Sequence, residues 1–408
     1  MSAGVVIVGG GQAGVEAASA LRSLGYAEPV FLVSEEPEPP YQRPPLSKEY
    51  LLGKIDAARL PLRAESFYEK HRIDLLLGQR VVDVGAGMKR VRLASGAVIP
   101  YDFLILATGA RNRILTVNGS ERVLYLRTRS DSDAIRARLA EVENIAVIGG
   151  GFIGLEVAAA ARSLGKRVTV IEAATRLMGR AVSPLISDFF RDVHRKEGTE
   201  ILLGAAVAEI ERAVVRLADG SRKAAQVVFA GIGVVPNSES ARDAGLSVGN
   251  GIAVDECLRT SDPNIFAIGD CAEFPNPFPD GGAGPRVRLE SVQNAVDQAK
   301  HVARLIAGSG SGSAPEPYTE VPWFWTDQFD VRFQMAGLSA AHDQVVKRGA
   351  VESRRFSAFY FRQGRLISAD SVNRFGDHVA VRKMLRTGAH LTPDQAADES
   401  FDLKQVVP

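Results

Sequence analysis

The chain has 408 residues, a formal net charge of +1, 46% hydrophobic residues and 24% charged residues. That length holds two or three domains with sizeable cores, and the near-neutral balance gives no global case for nucleic acid or a membrane surface. No run approaches the roughly eighteen apolar residues of a membrane span, and a strand beginning by Val5 leaves no room for a signal peptide. The two cysteines, Cys257 and Cys271, form no Cys-x-x-Cys, which fits a reducing cytoplasm and excludes a disulfide framework. The six histidines show no metal-ligand spacing, so no metal is expected.

In chain order, Val5-Val6-Ile7-Val8 reads as a buried parallel strand running into Gly9-Gly10-Gly11-Gln12-Ala13-Gly14 and an amphipathic helix over 12–24. In such a turn Gly9 makes the bend, Gly11 lets a pyrophosphate approach the backbone and Gly14 lets helix pack on strand. Residues 30–33 are the second strand, and Glu35, 26 residues after Gly9, is the candidate ribose-binding acid. Four prolines among residues 39–45 forbid regular structure and fix a rigid loop that carries Arg43 and Lys48 toward a helix. Residues 73–100 alternate as a small antiparallel sheet would, and 102–107 form another buried strand ending at Thr108-Gly109.

The opening pattern then recurs. Ile145-Ala146-Val147-Ile148 enters Gly149-Gly150-Gly151-Phe152-Ile153-Gly154, followed by a helix over 152–164 and a strand over 167–171 that ends at Glu172, 23 residues after Gly149. A carboxylate at that spacing binds the ribose hydroxyls of a nicotinamide dinucleotide and repels a 2′-phosphate, favouring NADH over NADPH; Arg176 and Arg180 nearby are the counterweight. The unit continues through a helix over 184–196 and a strand over 227–230, and closes with Gly231-Ile232-Gly233. A later strand ends in Gly269-Asp270, placing a carboxylate at the mouth of a sheet. A helix running from Leu289 to about Ile306 follows, its positive N-terminal end suiting a group that becomes anionic on reduction. A Gly/Ser-rich linker over 308–317 precedes Trp323-Phe324-Trp325, strands over 354–362 and 365–372, and a helix over 377–385, which read as a separate α+β domain.

Together these residues resemble the FAD-dependent, NADH-using ferredoxin reductases, flavoproteins of the glutathione-reductase-like fold that serve bacterial haem-thiolate monooxygenases and Rieske-type dioxygenases. The resemblance spans essentially the whole chain. It rests on both glycine turns, the loop 43–48, Ala107-Thr108-Gly109, residues 231–237, 260–270 and 289–295, and Pro322-Trp323-Phe324-Trp325. It implies an α/β fold with two Rossmann-like dinucleotide-binding domains, for FAD (1–108 and 238–318) and NAD (109–237), plus a C-terminal α+β interface domain (319–408).

The same resemblance implies FAD on Gly9, Gly11, Ala13, Gly14, Glu35, Arg43, Lys48, Val81, Thr108, Gly109, Arg127, Asp270 and Val292. It implies NADH on Gly149, Gly151, Ile153, Gly154, Glu156, Glu172 and Gly233. Lys48 and Glu156 are the implied catalytic pair: a cation beside the reactive edge of the flavin stabilises developing charge, and pairing offsets the cost of burying it. The disulfide-reductase branch carries Cys-x-x-x-x-Cys after the first ribose acid, and the peroxidase and oxidase branch a single cysteine there. This chain has no cysteine before position 257, so its electrons are expected to leave the flavin for an outside acceptor.

Residues 347–386 carry ten basic and three acidic residues. A basic face that includes Arg382 and Lys383, with Trp325 near the flavin, is expected to receive a 2Fe–2S ferredoxin through an acidic surface. No nucleic-acid-binding motif accompanies the patch, and a monomer or weak dimer is expected. Two rivals are a rubredoxin or quinone reductase with the same nucleotide sites, and a redox-sensing flavoprotein resembling apoptosis-inducing factor. The second is disfavoured because no targeting segment and no long C-terminal insertion is present.

Overall fold

A computed structural model describes residues 2–278, 286–309 and 314–406. The chain forms two compact units. One comprises Met1–Gln42, Ala58–Arg111 and Val235–Pro322, and the other Arg43–Ala57, Asn112–Val234 and Trp323–Pro408. Gly310, Ser311, Gly312 and Ser313 of the expected linker lie outside the described residues.

The first unit is built on a five-stranded parallel sheet in the order Ile265–Ala267, Phe103–Leu106, Val5–Val8, Val30–Val33, Asp74–Leu76. The central Val5–Val8 strand is apolar at every position because the sheet is covered on both faces: Val5, Val6 and Ile7 are fully buried. Helix Gln12–Ser23 packs on helix Val292–Ala307. Alanines allow the approach, since Ala17, Ala18, Ala299 and Ala303 are all fully buried. The segment expected to be wholly antiparallel divides in two. Val81–Gly85, Arg90–Leu93 and Val98–Pro100 form the antiparallel sheet, whereas Asp74–Leu76 adds to the parallel sheet as its edge. Three residues are too few for alternation to distinguish the two fates.

The second unit repeats the doubly wound pattern in the order Glu200–Leu203, Arg167–Glu172, Asn144–Ile148, Val227–Ala230, Val123–Leu124, all parallel. It also holds a five-stranded antiparallel sheet ordered Trp323–Gln328, Val331–Gly337, Arg365–Val372, Arg355–Arg362, Gln344–Ala350. Helix Phe375–Thr387 packs on this sheet. The opposite face meets helix Pro184–Lys196 through aromatic pairs, Phe190 to Phe333 at 5.4 Å and Phe189 to Phe356 at 5.1 Å between ring centroids. Each such buried ring contributes about 1.5–3 kcal/mol. The C-terminal sheet therefore shares a continuous core with the second dinucleotide fold. Among the described residues no helix is long and apolar enough to cross a membrane.

Candidate functional site

Each parallel sheet opens onto its glycine turn at the C-terminal end of its central strand. Gly9 has φ +121°, and a Cβ there would stand 2.1 Å from the Ala107 carbonyl oxygen, while one at Gly14 would stand 2.0 Å from that of Gly9. These two glycines are demanded by the chain's own packing. Gly11 is not, because a Cβ there would meet nothing within 4 Å. Gly11 also caps helix Gln12–Ser23 without a side-chain hydrogen bond, and no acid lies in the first turn. The second copy behaves alike: Gly151 caps helix Phe152–Ser163 without a side-chain bond, and a Cβ there would find only the Gly231 carbonyl at 3.9 Å. Open space over an uncapped helix N-terminus is what a pyrophosphate fills, so both turns fit a dinucleotide. Ile153 stands 44% exposed on the second turn.

The acids differ between the two units. Ile148 pairs with Ile171, setting Glu172 beside the second turn. There its Oε2 accepts from the Gly150 N–H at 2.6 Å and its Oε1 from the Ala174 N–H at 2.7 Å. In the first unit Val8 pairs with Val33, so the residue in that register is Ser34, whose Oγ would lie 2.5 Å from a Cβ on Gly10. Glu35 comes one residue later, exposed and 3.8 Å from Arg80. Of the three extra residues between Gly9 and Glu35, two lie in a longer connection and one is this offset. Arg176 is occupied: its guanidinium donates to the carbonyls of Gly179 and Val182 and lies 3.1 Å from Ser187 Oγ. Arg180 is exposed, with Nη2 3.4 Å from where a Cβ of Gly233 would stand.

Several expected FAD residues of the first unit do converge. A Cβ on Gly269 would lie 3.2 Å from the Cβ of Ala13 and 3.7 Å from that of Ala295, bringing the first turn, Asp270 and the Val292–Ala307 helix together. Gln298 fixes the bend by accepting from the Gly269 N–H at 2.7 Å, and Arg288 donates to the Asp270 carbonyl at 3.0 Å. Ser291 caps the helix that Val292 begins, accepting from the Asn294 N–H at 3.1 Å. Thr108 and Gly109 are zipped to Asn237: Thr108 Oγ1 donates to its carbonyl at 2.5 Å, and Asn237 donates back to the carbonyls of Thr108 and Gly109 at 2.9 Å. Val81 opens its strand half-buried.

In the second unit the prolines do their expected work. Pro44 and Pro45 begin the short 3-10 helix Pro44–Ser47, and Lys48 follows it. Its Nζ lies 2.8 Å from Glu156 Oε1, with side chains 13% and 2% exposed. Two hydroxyls complete the carboxylate: Ser47 Oγ donates to Oε2 and Thr326 Oγ1 to Oε1, each at 2.5 Å. A buried ion pair survives only when its remaining valences are satisfied, and here three donors converge on one carboxylate. Arg43 donates to the Arg127 carbonyl at 2.5 Å, joining two further expected residues. Ser47 and Thr326 escaped sequence reasoning. Ser47 had a weak signal in its neighbour Lys48; Thr326, 170 positions from Glu156, had none.

The C-terminal aromatics meet at a tilt, Trp323 to Trp325 at 5.5 Å with 33° between ring planes, and the Arg382 guanidinium lies 4.5 Å from the Trp323 ring centroid. The basic surplus of this region is partly spent internally. Arg348 is buried against the carbonyls of Ala396, Asp398 and Phe401, Arg354 pairs with Asp330 and Glu197, and Arg374 pairs with Asp377 and Glu399. Cys257 and Cys271 are both buried, and burial pushes both thiols up from their ordinary range, away from the reactive thiolate.

Residues 3–299 match the family model described as pyridine nucleotide-disulphide oxidoreductase, and residues 323–407 match the reductase C-terminal model. The chain is 48% identical to rhodocoxin reductase from Rhodococcus erythropolis over 99% of this chain and 94% of that protein. It superposes on the ferredoxin reductase for the CYP199A2 system of Rhodopseudomonas palustris with a TM-score of 0.94 at 45% identity, covering 99% of both chains. It superposes on the reductase of the covalent putidaredoxin reductase–putidaredoxin complex with a TM-score of 0.93 at 38% identity, covering 99% of this chain and 97% of that one.

Proposed function

The chain belongs to the pyridine nucleotide-disulphide oxidoreductase family, and on that premise we propose that it is an NADH-dependent ferredoxin reductase, passing single electrons from FAD to a 2Fe–2S ferredoxin. One observation carries the outward direction of electron flow. Two dinucleotide turns stand open in a chain whose only cysteines are buried, so no thiol of its own can accept what the flavin receives. The similarity to a reductase crystallised on its ferredoxin supports the class of acceptor.

FAD, when bound, would accept one hydride, carrying two electrons, and release those electrons singly; the protein supplies binding, orientation and electrostatics. In the first unit we assign Gly9, Gly11, Ala13, Gly14, Glu35, Val81, Thr108, Gly109, Asp270 and Val292 to FAD. In the second, Arg43, Lys48 and Arg127 carry FAD roles by family resemblance, and Gly149, Gly151, Ile153, Gly154, Glu156, Glu172 and Gly233 carry NADH roles. Glu156 holds the Lys48 side chain in place through their 2.8 Å ion pair, and a cation there stabilises negative charge that develops beside it. Glu172 favours NADH. Two backbone N–H groups fix its carboxylate beside the turn, while Arg176, engaged with carbonyls, is turned away from any 2′-phosphate.

The deciding experiment is stopped-flow oxidation of the NADH-reduced holoprotein by a 2Fe–2S ferredoxin and, separately, by rubredoxin. Fast single-electron transfer to the ferredoxin is expected. Slow reaction with every 2Fe–2S carrier sinks the proposal, and preference for rubredoxin moves the chain to that rival class.

A further inference from the structure

The Glu156 carboxylate is one end of a longer buried chain of hydrogen bonds. Gln328 Nε2 donates to Thr326 Oγ1 at 3.3 Å, and Gln328 Oε1 lies 2.9 Å from His194 Nε2. Every member is interior: Thr326 and His194 are fully buried and Gln328 is 1% exposed. The chain thereby links helix Pro184–Lys196, strand Trp323–Gln328 and helix Phe152–Ser163.

Charge at one end dictates the direction of every bond. A carboxylate beside an ammonium is an acceptor only, so the Thr326 hydroxyl donates to Glu156. That hydroxyl must then accept, and the donor in reach is the Gln328 amide. The Gln328 carbonyl in turn needs a donor, which is the Nε2–H of His194. One amide orientation and one imidazole tautomer satisfy the whole series, and reversal at any link sets acceptor against acceptor in a dry interior.

We propose that Gln328 and His194 are positioning residues for hydride transfer: their relay aims the Thr326 hydroxyl at Glu156 and so sets the orientation of the carboxylate that holds the Lys48 ammonium. The proposal rests on the reading of Lys48 and Glu156 given above. An apolar side chain would fill the same volume between the helix and the sheet; what the amide and imidazole add is direction. Burial lowers the imidazole from its ordinary range, which keeps His194 neutral and its tautomer meaningful. The titratable and charged groups bearing on Gln328 are His194 itself, Glu156 and Lys48 beyond Thr326, and Glu197, which acts on His194 from the end of the same helix.

Gln328→Glu tests the direction. Protonated, the acid reproduces the amide, a hydroxyl donor toward Thr326 and a carbonyl toward His194; ionised, it offers Thr326 a second acceptor and draws its proton away from Glu156. A buried acid titrates upward of its ordinary range, so flavin reduction by NADH in this variant should match wild type near pH 6 and fall about tenfold by about pH 9, a step absent from wild type. Gln328→Leu should be slowed about tenfold at every pH with the NADH Michaelis constant unchanged. Nitrogen NMR of labelled histidine should show the Nε2–H tautomer of His194 in wild-type apoprotein and a mixture of tautomers in Gln328→Leu. Wild-type rates at every pH in both variants, or an unaltered tautomer in Gln328→Leu, overturn the proposal. Glu156→Gln and Lys48→Met separate the two readings. If they leave flavin reduction unchanged, the pair itself is not the hydride site; if they slow it while the Gln328 variants do not, only the relay fails.

Discussion

Thr326, on the first strand of the C-terminal sheet, donates a 2.5 Å hydrogen bond to Glu156, on the helix that leaves the second glycine turn. The contact makes the C-terminal sheet part of the charged site. Its removal is informative because Lys48 and Ser47 remain on the same carboxylate. Thr326→Val keeps the shape and deletes the donor, and should slow NADH-dependent flavin reduction about tenfold at a stability cost of about 1–3 kcal/mol. Thr326→Ser should restore both. Stopped-flow rates and thermal melts of the pair check this; equal rates in Thr326→Val and wild type would reduce Thr326 to packing.

Glu172 braces Gly150 and is the residue proposed to bind the ribose. Glu172→Ala should raise the NADH Michaelis constant roughly tenfold or more and narrow the gap to NADPH, since the like-charge barrier goes with the acid. Steady-state kinetics with both donors and ferricyanide as acceptor measure it. Unchanged constants with both would remove Glu172 from the cofactor site.

The helix Phe375–Thr387 carries Arg382 and Lys383 within the basic surplus of residues 347–386. Arg382→Glu/Lys383→Glu should therefore raise the ferredoxin Michaelis constant and flatten its salt dependence, leaving ferricyanide reduction unaltered. Loss of both activities would instead indicate damage to the Trp323 stack.

Asp370, in strand Arg365–Val372 of the C-terminal sheet, is fully buried, accepts a 2.6 Å hydrogen bond from Tyr360, and is pushed up to about 7 by burial. A folded pKa above the unfolded one means that the folded state binds the proton more tightly. The contribution is therefore whole below about pH 4 and lost as pH rises through 7, a loss of up to roughly 4 kcal/mol. His301 and His378, both lowered to about 4 by burial, act oppositely: their contribution is present above the ordinary imidazole range and lost as pH falls toward 4. Comparing Asp370→Asn with wild type isolates the acid. Between pH 5 and 8 wild type should lose stability relative to the variant, by chemical denaturation; a constant difference would show that Asp370 does not titrate there.

Sequence by itself determined the two Rossmann-like turns and the helices behind them. The turns and helices are local: a run of four apolar residues, three glycines at fixed spacing and an alanine-rich helix act over a few tens of residues. The Lys48–Glu156 pair is not local and was legible only through family resemblance. Tertiary structure alone decided what depends on register and approach between distant strands. It set Ser34, not Glu35, at the register of its own sheet that Glu172 holds in the other; it withdrew Arg176 and Arg348 into carbonyl cages; and it brought Ser47, Thr326, Gln328 and His194 into one series ending on Glu156. A hydroxyl, an amide and an imidazole carry no sign in sequence of which way they will donate. Direction came from the buried charge, and only the folded chain delivers the charge to them.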